Sequence, residues 1–285
     1  MITVFTPTYN RADTLPRLYE SLCTQTNKNF EWIVVDDGST DNTKKLIDKF
    51  IHENKIIIRY FSQNNGGKHR AINRGVKEAD GELFFIVDSD DYLVKDTIET
   101  IQQEYSNIQG KNKFAGLCGL KIYKDGSKVG GEELWNRIDC SSLDLRYKYK
   151  VKGDMAEVIR TDVFKEFPFP EIDGEKFCPE ALVWNRIAQK YIIRHIYKKL
   201  YICEYRPDGL TASIVKVRRD SPQSSVLYYS ELSKMPISVL QKLKAAVNFW
   251  RFRVDGHSCA RPNFMLSVLG WLPGKLMRVR DNKIR

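Results

Sequence analysis

No stretch of this sequence reaches the roughly 18 consecutive apolar residues of a membrane span, so no spanning helix is expected. The first residues show no basic leader and no cleavage site but run directly into Ile2 to Phe5, so no secretory signal is expected. The six cysteines, Cys23, Cys118, Cys140, Cys178, Cys203 and Cys259, form no C-x-x-C pair. That pattern speaks against a zinc site or a disulfide framework and predicts free thiols in a reducing cytoplasm. His52, His69, His195 and His257 have no metal-ligand spacing. No G-x-G-x-x-G follows the first strand and no G-x-x-x-x-G-K-[ST] occurs, so the dinucleotide and P-loop signatures are both missing.

What is present is a chain of 285 residues, 42% hydrophobic, enough for one large domain or two small ones. The net charge of +10 is unevenly placed. Residues 1–215 hold 32 Lys+Arg and 32 Asp+Glu, whereas residues 216–285 hold 14 and 4. An electrostatic partner is therefore expected for the last quarter of the chain.

The most informative stretch is Leu83 to Leu93, LFFIVDSDDYL. Five apolar residues suit a strand buried on both faces, and they stop at Asp88, Ser89, Asp90 and Asp91. Three carboxylates in four positions repel one another unless water or a cation sits among them. Alone, such a cluster reads as a solvated acidic turn. Three earlier units change that reading. Strands are predicted at Ile2–Phe5, Trp32–Val35 and Ile56–Phe61. Each is followed by a helix, with Leu15, Leu18 and Leu22, then Leu46, Ile47 and Phe50, then Ile72, Val76 and Ala79 facing inward. Asp13, and Asp41 or Thr40, are the expected caps of the first two helices.

This β-α-β-α-β-α-β order predicts an α/β fold with a mostly parallel sheet, whose ligands bind at the carboxyl ends of its strands. Those ends offer Thr6, Thr8 and Tyr9, then Asp36 and Asp37, then Gly66, Gly67 and Lys68, then the acidic cluster. An aromatic face, carboxylates and a metal match the base, ribose and diphosphate of a nucleotide.

Four blocks, TPTYNR, WIVVDDGSTDNT, NNGGKHRAINRG and GELFFIVDSDD, resemble in order and spacing the family-2 glycosyltransferases of the GT-A fold, across about the first 95 residues. The resemblance implies a GT-A (Rossmann-like) sheet flanked by helices and inverting sugar transfer. By it, Pro7, Tyr9 and Asp37 hold the nucleoside of a nucleotide-sugar. Asp88-Ser89-Asp90 becomes the D-x-D motif, with Asp90, and Asp88 beside it, binding Mn²⁺ or Mg²⁺. A hard divalent cation suits carboxylate and phosphate oxygens and stabilises a departing diphosphate. Lys68 joins the donor-binding set.

Further along, a helix with Ile98, Ile101, Tyr105 and Ile108 is expected behind an Asp96/Glu99 capping pair. Strands are expected at Leu117–Tyr123, Met155–Ile159, Ile192–Ile196 and Leu200–Cys203. A short helix capped by Thr161-Asp162 should run to Phe167, and residues 131–150 should form a loop over the acceptor side. In Pro179-Glu180-Ala181-Leu182-Val183-Trp184-Asn185-Arg186, Trp184 and Arg186 match the family, while Pro179 and Glu180 stand where relatives carry Glu-Asp. Glu180 is the candidate general base, kept ionised at a helix start. Asp154 is the alternative base or an acceptor-binding group. Arg206, in a Tyr-Arg loop like one near the donor diphosphate in relatives, is a candidate phosphate contact. The Q-x-x-R-W motif of processive synthases is missing, so one sugar per encounter is expected.

The expected organisation is a catalytic domain over 1–215, with a nucleotide-sugar half (1–95) and an acceptor half (96–215), and a basic, amphipathic helical extension over 216–285. A helix is predicted over Pro236–Arg253, and an apolar run over Phe264–Leu272 that Pro273-Gly274 breaks. Basic charge beside Trp and Leu suits an anionic membrane surface; packing on the catalytic domain is the alternative. No nucleic-acid motif accompanies the charge, and no nucleic-acid partner is expected. The acceptor expected is a saccharide, lipid-linked, at the inner face of a bacterial membrane in capsule or lipopolysaccharide assembly. Two rival readings are a sugar-phosphate nucleotidyltransferase, for which TPTYNR lacks the Gly-rich basic loop, and a silent nucleotide-sugar or membrane-binding module.

Overall fold

The structure, a computed structural model, describes residues 1–132, 135–204, 213–254 and 261–283. The chain forms two compact units. One comprises Met1–Pro168 with Ile187–Tyr205, the other Phe169–Arg186 with Arg206–Arg285. The division thus runs differently from the 215/216 boundary expected from charge, because Phe169–Arg186 groups with the C-terminal helices.

The first unit is built on one sheet. Its strands are β1 (Ile2–Thr8), β2 (Phe30–Asp36), β3 (Ile58–Ser62), β4 (Leu83–Ile86), β5 (Tyr92–Leu93), β6 (Phe114–Tyr123), β7 (Arg137–Cys140), β8 (Met155–Arg160) and β9 (Ile192–Cys203). Their order is β3-β2-β1-β4-β8-β6-β9-β5, with β7 also paired on β9. The first four are parallel; β8 is antiparallel to β4 and β6, and β6 and β9 are parallel. Every residue of β1 and β2 is buried, as suits strands covered on both faces, and the buried Thr3 hydroxyl donates to Glu31 at 2.6 Å. Helices α1 (Leu15–Cys23), α2 (Thr43–Glu53), α3 (Lys68–Glu78), α4 (Thr97–Ser106), α5 (Ser142–Tyr147) and α6 (Thr161–Glu166) complete the unit.

The amphipathic patterns translate into packing. Leu15, Leu18 and Leu22 of α1 are fully buried, and Tyr19 stacks on Phe50 of α2 with ring centroids 3.9 Å apart. At Gly75 of α3 a Cβ would lie 2.1 Å from the Phe5 ring of β1, so only glycine admits this approach. The five described cysteines, Cys23, Cys118, Cys140, Cys178 and Cys203, are free thiols.

Several local expectations are corrected. Ile192–Ile196 and Leu200–Cys203 are one strand, β9, because register shifts in its pairing with β6 carry it past the polar Tyr197-Lys198-Lys199 step. Residues 131–150 contain β7 and α5, the latter capped by Ser141, which accepts the Asp144 N–H at 3.1 Å. Asp96 stands at the N-cap of α4 without a side-chain bond, and Glu99 accepts from the Thr26 hydroxyl at 2.8 Å instead of completing a capping box. Thr14 and Asn42 hold the first two N-cap positions, and Arg160 that of α6.

The second unit is helical: α7 (Glu180–Ile187), α8 (Ile214–Asp220), α9 (Pro222–Leu232), α10 (Val239–Phe252) and α11 (Phe264–Lys283). Arg186 of α7 forms a two-pronged ion pair with Glu231 of α9, at 2.7 and 3.0 Å. Val226, Phe249 and Phe252 make a small core. Helix α11 runs unbroken through Pro273-Gly274, contrary to the break expected there. Pro273 and Leu269 are both exposed. Gly274 lies against α10, where a Cβ would be 2.5 Å from the Val247 carbonyl.

Candidate functional site at the carboxyl edge of the sheet

Register places Thr8 beside Asp36, and Phe5 beside Ile86, so the loops after β1, β2, β3 and β4 open on one edge. Pro7 and Thr8 are buried there, whereas Tyr9 is 48% exposed. The Asn10 N–H donates to the Ser39 hydroxyl and its side-chain carbonyl accepts the Thr40 N–H, each at 2.8 Å. The first two loops are thereby joined. The buried Thr8 hydroxyl has no hydrogen-bond partner among the described residues, an orphaned polar atom at the end of β1.

Asp37 is buried and saturated. Oδ1 accepts from Gln63 Nε2 at 2.8 Å and the Gly66 N–H at 2.9 Å; Oδ2 accepts from the Gly67 N–H at 2.7 Å and Asn65 Nδ2 at 3.1 Å. Four donors occupy the lone-pair sites of a carboxylate. Gly67 reaches its place with φ 97°, which favours glycine. In this arrangement Asp37 holds the third loop, and no lone pair is left over for a direct contact with a nucleoside.

The fourth loop is gripped from several sides. Lys68 Nζ lies 2.6 Å from Asp88 Oδ1. The Asp88 N–H donates to Tyr201 Oη at 2.9 Å, and the Tyr201 hydroxyl donates to Asp91 Oδ2 at 2.7 Å. The Glu204 N–H donates to Asp91 Oδ1 at 2.9 Å. The Arg17 guanidinium donates to the Asp90 carbonyl, pairs with Glu204, and lies 4.7 Å from the Tyr92 ring centroid.

Electrostatics separate the three aspartates. Burial pushes the Asp90 carboxyl up, and the Asp88 charge adds to it. Asp91 is pushed up to about 6, by burial first and then by Asp88. Asp88 is also desolvated, but Lys68 and Lys121 outweigh burial and hold it below the usual range. Asp90 has no ion-pair partner among the described residues. Two hard, desolvated, mutually repelling carboxylates fit a divalent cation, which would lift the repulsion. Among the described residues no cluster of three or more His, Cys, Asp or Glu has metal-binding geometry. A cation at Asp88 and Asp90 would complete its shell with phosphate and water oxygens, as Mg²⁺ commonly does.

Asp154 is exposed and immediately precedes β8. Because β8 is antiparallel to β4, with Phe85 beside Val158, its start lies at the same edge as the acidic loop. The Cys203 thiol registers that proximity. Burial, then the charges of Asp91, Asp154 and Asp88 against that of Lys121, push it up to about 12. Glu180 is the first residue of α7, in the second unit. Arg206 lies outside the described residues. The edge thus gathers Pro7, Tyr9, Asp37, Lys68, Asp88, Asp90 and Asp154. Sequence reasoning missed Tyr201, Lys121 and Arg17, whose partners are remote in the chain and carry no spacing signal; Asp91 alone was visible, as the last member of the acidic run.

Sheet order, parallel core and acidic fourth loop define the GT-A class of α/β fold. The chain belongs to glycosyl transferase family 2. The model of that family, described as "Glycosyl transferase family 2", matches residues 3–144. Glycosyltransferase GlyG of Streptococcus pneumoniae serotype 4 is 39% identical over 223 residues, covering 74% of this chain and 72% of that protein. The GalNAc(5)-diNAcBac-PP-undecaprenol beta-1,3-glucosyltransferase of Campylobacter jejuni is 28% identical over 243 residues, covering 82% and 73%. The crystal structure of S. aureus TarS 1-349 in complex with UDP-GlcNAc superimposes with a TM-score of 0.61 at 20% identity, over 98% of this chain and 88% of that one. It is a likeness of fold. The chain spans only 29% to 40% of the Rickettsia glycosyltransferases that it also matches. Among the described residues no helix is long and apolar enough to cross a membrane.

Proposed function

We propose that this chain moves one sugar from a UDP-linked nucleotide-sugar to a hydroxyl of a saccharide acceptor, with inversion at the anomeric carbon, in cell-surface polysaccharide assembly. The observation that carries the proposal is the desolvated Asp88/Asp90 pair, on the edge that also holds Tyr9 and Lys68, in a chain of this family. The UDP-GlcNAc complex of TarS supports the choice of nucleotide.

Pro7, Tyr9 and the third loop, held by Asp37, would receive the nucleoside. Lys68 and Arg206 would meet the diphosphate charge. Asp90, with Asp88, would hold Mn²⁺ or Mg²⁺, which when bound supplies Lewis-acid stabilisation of the departing diphosphate. Glu180, at the start of α7, would take the proton of the acceptor hydroxyl while its oxygen bonds to the anomeric carbon and the bond to the diphosphate breaks. Asp154 is the second candidate for that proton. Residues 1–95 would serve the donor, 96–215 the acceptor, and 216–285 would form the extension. The undecaprenol-linked substrate in the name of the Campylobacter relative supports a lipid-linked saccharide acceptor, and the reaction would then run at the inner face of the plasma membrane, in capsule or lipopolysaccharide assembly.

A panel of nucleotide-sugars, incubated with and without Mn²⁺, tests this reading. Metal-dependent release of nucleoside diphosphate is expected, and Glu180→Gln should keep donor binding while losing release. Pyrophosphate as the product, or no turnover of any donor, would contradict it.

A further inference from the structure

Helix α11 carries a second, unused face. Its buried residues, Leu266, Ser267, Gly270, Gly274 and Asp281, recur at helical spacing and lie on one side. Contacts with α10 hold that side in place. Trp250 Nε1 donates to the Ser267 carbonyl at 2.9 Å, and Arg251 pairs with Asp281 at 2.7 Å. Small residues allow the approach, since a Cβ on Gly270 would lie 2.8 Å from the Ala246 backbone.

The opposite side is apolar and open. Phe264 is 83% exposed, Met265 73%, Val268 57%, Leu269 60%, Leu272 58% and Leu276 62%. At 100° per residue these six lie within one arc of the helix, pointing away from the α10 side. So large a run of exposed apolar side chains marks an interaction surface. Along α11 and the segment that leads into it, the exposed charge among the described residues is basic. Arg261 and Arg280 are exposed and Lys275 is partly exposed. Of the four acids in residues 216–285, Glu231 is paired with Arg186 and Asp281 with Arg251.

We infer that this face of α11 docks in the headgroup layer of an anionic membrane, with its apolar arc among the acyl chains and its basic residues on the lipid phosphates. A spanning role does not fit, because the apolar run Phe264–Leu272 is half the roughly 18 residues required. Self-association is disfavoured, because two copies pressed together on this face would juxtapose like charges. The inference extends the membrane location proposed above and does not depend on the sugar chemistry.

The test is sedimentation of the full chain with vesicles of phosphatidylglycerol and phosphatidylcholine, and with phosphatidylcholine alone. Binding to the anionic vesicles is expected, weakening with added salt. The double variant Val268→Glu/Leu272→Glu should weaken it by at least about tenfold, and Lys275→Glu/Arg280→Glu should lower it further on anionic than on neutral vesicles. All four positions are at least partly exposed, and an unchanged melting temperature will confirm that the variants fold. No binding to anionic vesicles, equal binding by the apolar variant, or a dimer in solution that the apolar variant dissolves would each overturn the inference. Donor binding and nucleotide release are measured without vesicles, so their loss counts against the enzyme reading and leaves the docking result standing.

Discussion

The Tyr201 hydroxyl donates to the Asp91 carboxylate at 2.7 Å and accepts the Asp88 N–H at 2.9 Å. One phenol near the end of β9 therefore ties down both ends of the acidic loop, and its ring is completely buried. Tyr201→Phe keeps the packing and removes both bonds. It should cost about 1–3 kcal/mol, the range for a buried polar group that loses its partner. A double-mutant cycle with Asp91→Ala should show coupling, because both changes remove the same contact. Thermal melts of the four proteins check this, and strict additivity would contradict it.

Asp37 is the equivalent anchor for the third loop. Asp37→Ala strands the partly buried N–H groups of Gly66 and Gly67, and a loss of about 1–3 kcal/mol is expected. Weaker donor binding should accompany it, since Lys68 sits at the end of that loop. A melting temperature equal to the parent's would show that the loop holds its shape without the carboxylate.

His195 on β9 is buried, and its environment sets a pH dependence. Neither ring nitrogen has a hydrogen bond of ordinary geometry. The Cys140 backbone approaches and works weakly upward, but burial dominates and pushes the imidazole down from 6.5 to about 4. Between those values the unfolded chain binds the proton and the folded chain does not. Stability from this residue is therefore complete above about pH 6.5 and lost as pH falls toward 4, a term on the order of 3 kcal/mol. His195→Leu should flatten the dependence of melting temperature on pH across that window. An unchanged slope would assign the acid sensitivity to other groups.

The first four strands and three helices were legible because β1, β2 and β4 are almost wholly buried, the half-buried β3 still carries Ile, Tyr and Phe, and each helix buries one stripe. Residue type and period then carry the same message. Strand β7 escaped because three of its four residues are exposed or partly exposed, leaving no alternation to read. The unbroken α11 escaped because Pro-Gly reads locally as a stop, whereas the close approach of Gly274 to α10 is a tertiary contact that the local sequence does not show. The site was legible as four loops but not as a bonded network. Tyr201 and Asp91 are 110 residues apart, and the β5–β9 pairing, Tyr92 beside Ile202, helps to bring them together.

The most direct test of the account is calorimetric titration of UDP into the parent protein and Asp90→Asn, each with and without Mn²⁺. The account predicts UDP binding that requires metal in the parent and is lost in Asp90→Asn, with the melting temperature in the absence of ligand unchanged or raised by removal of the desolvated charge. Equal UDP affinity in the two proteins, or parent binding indifferent to metal, would contradict it.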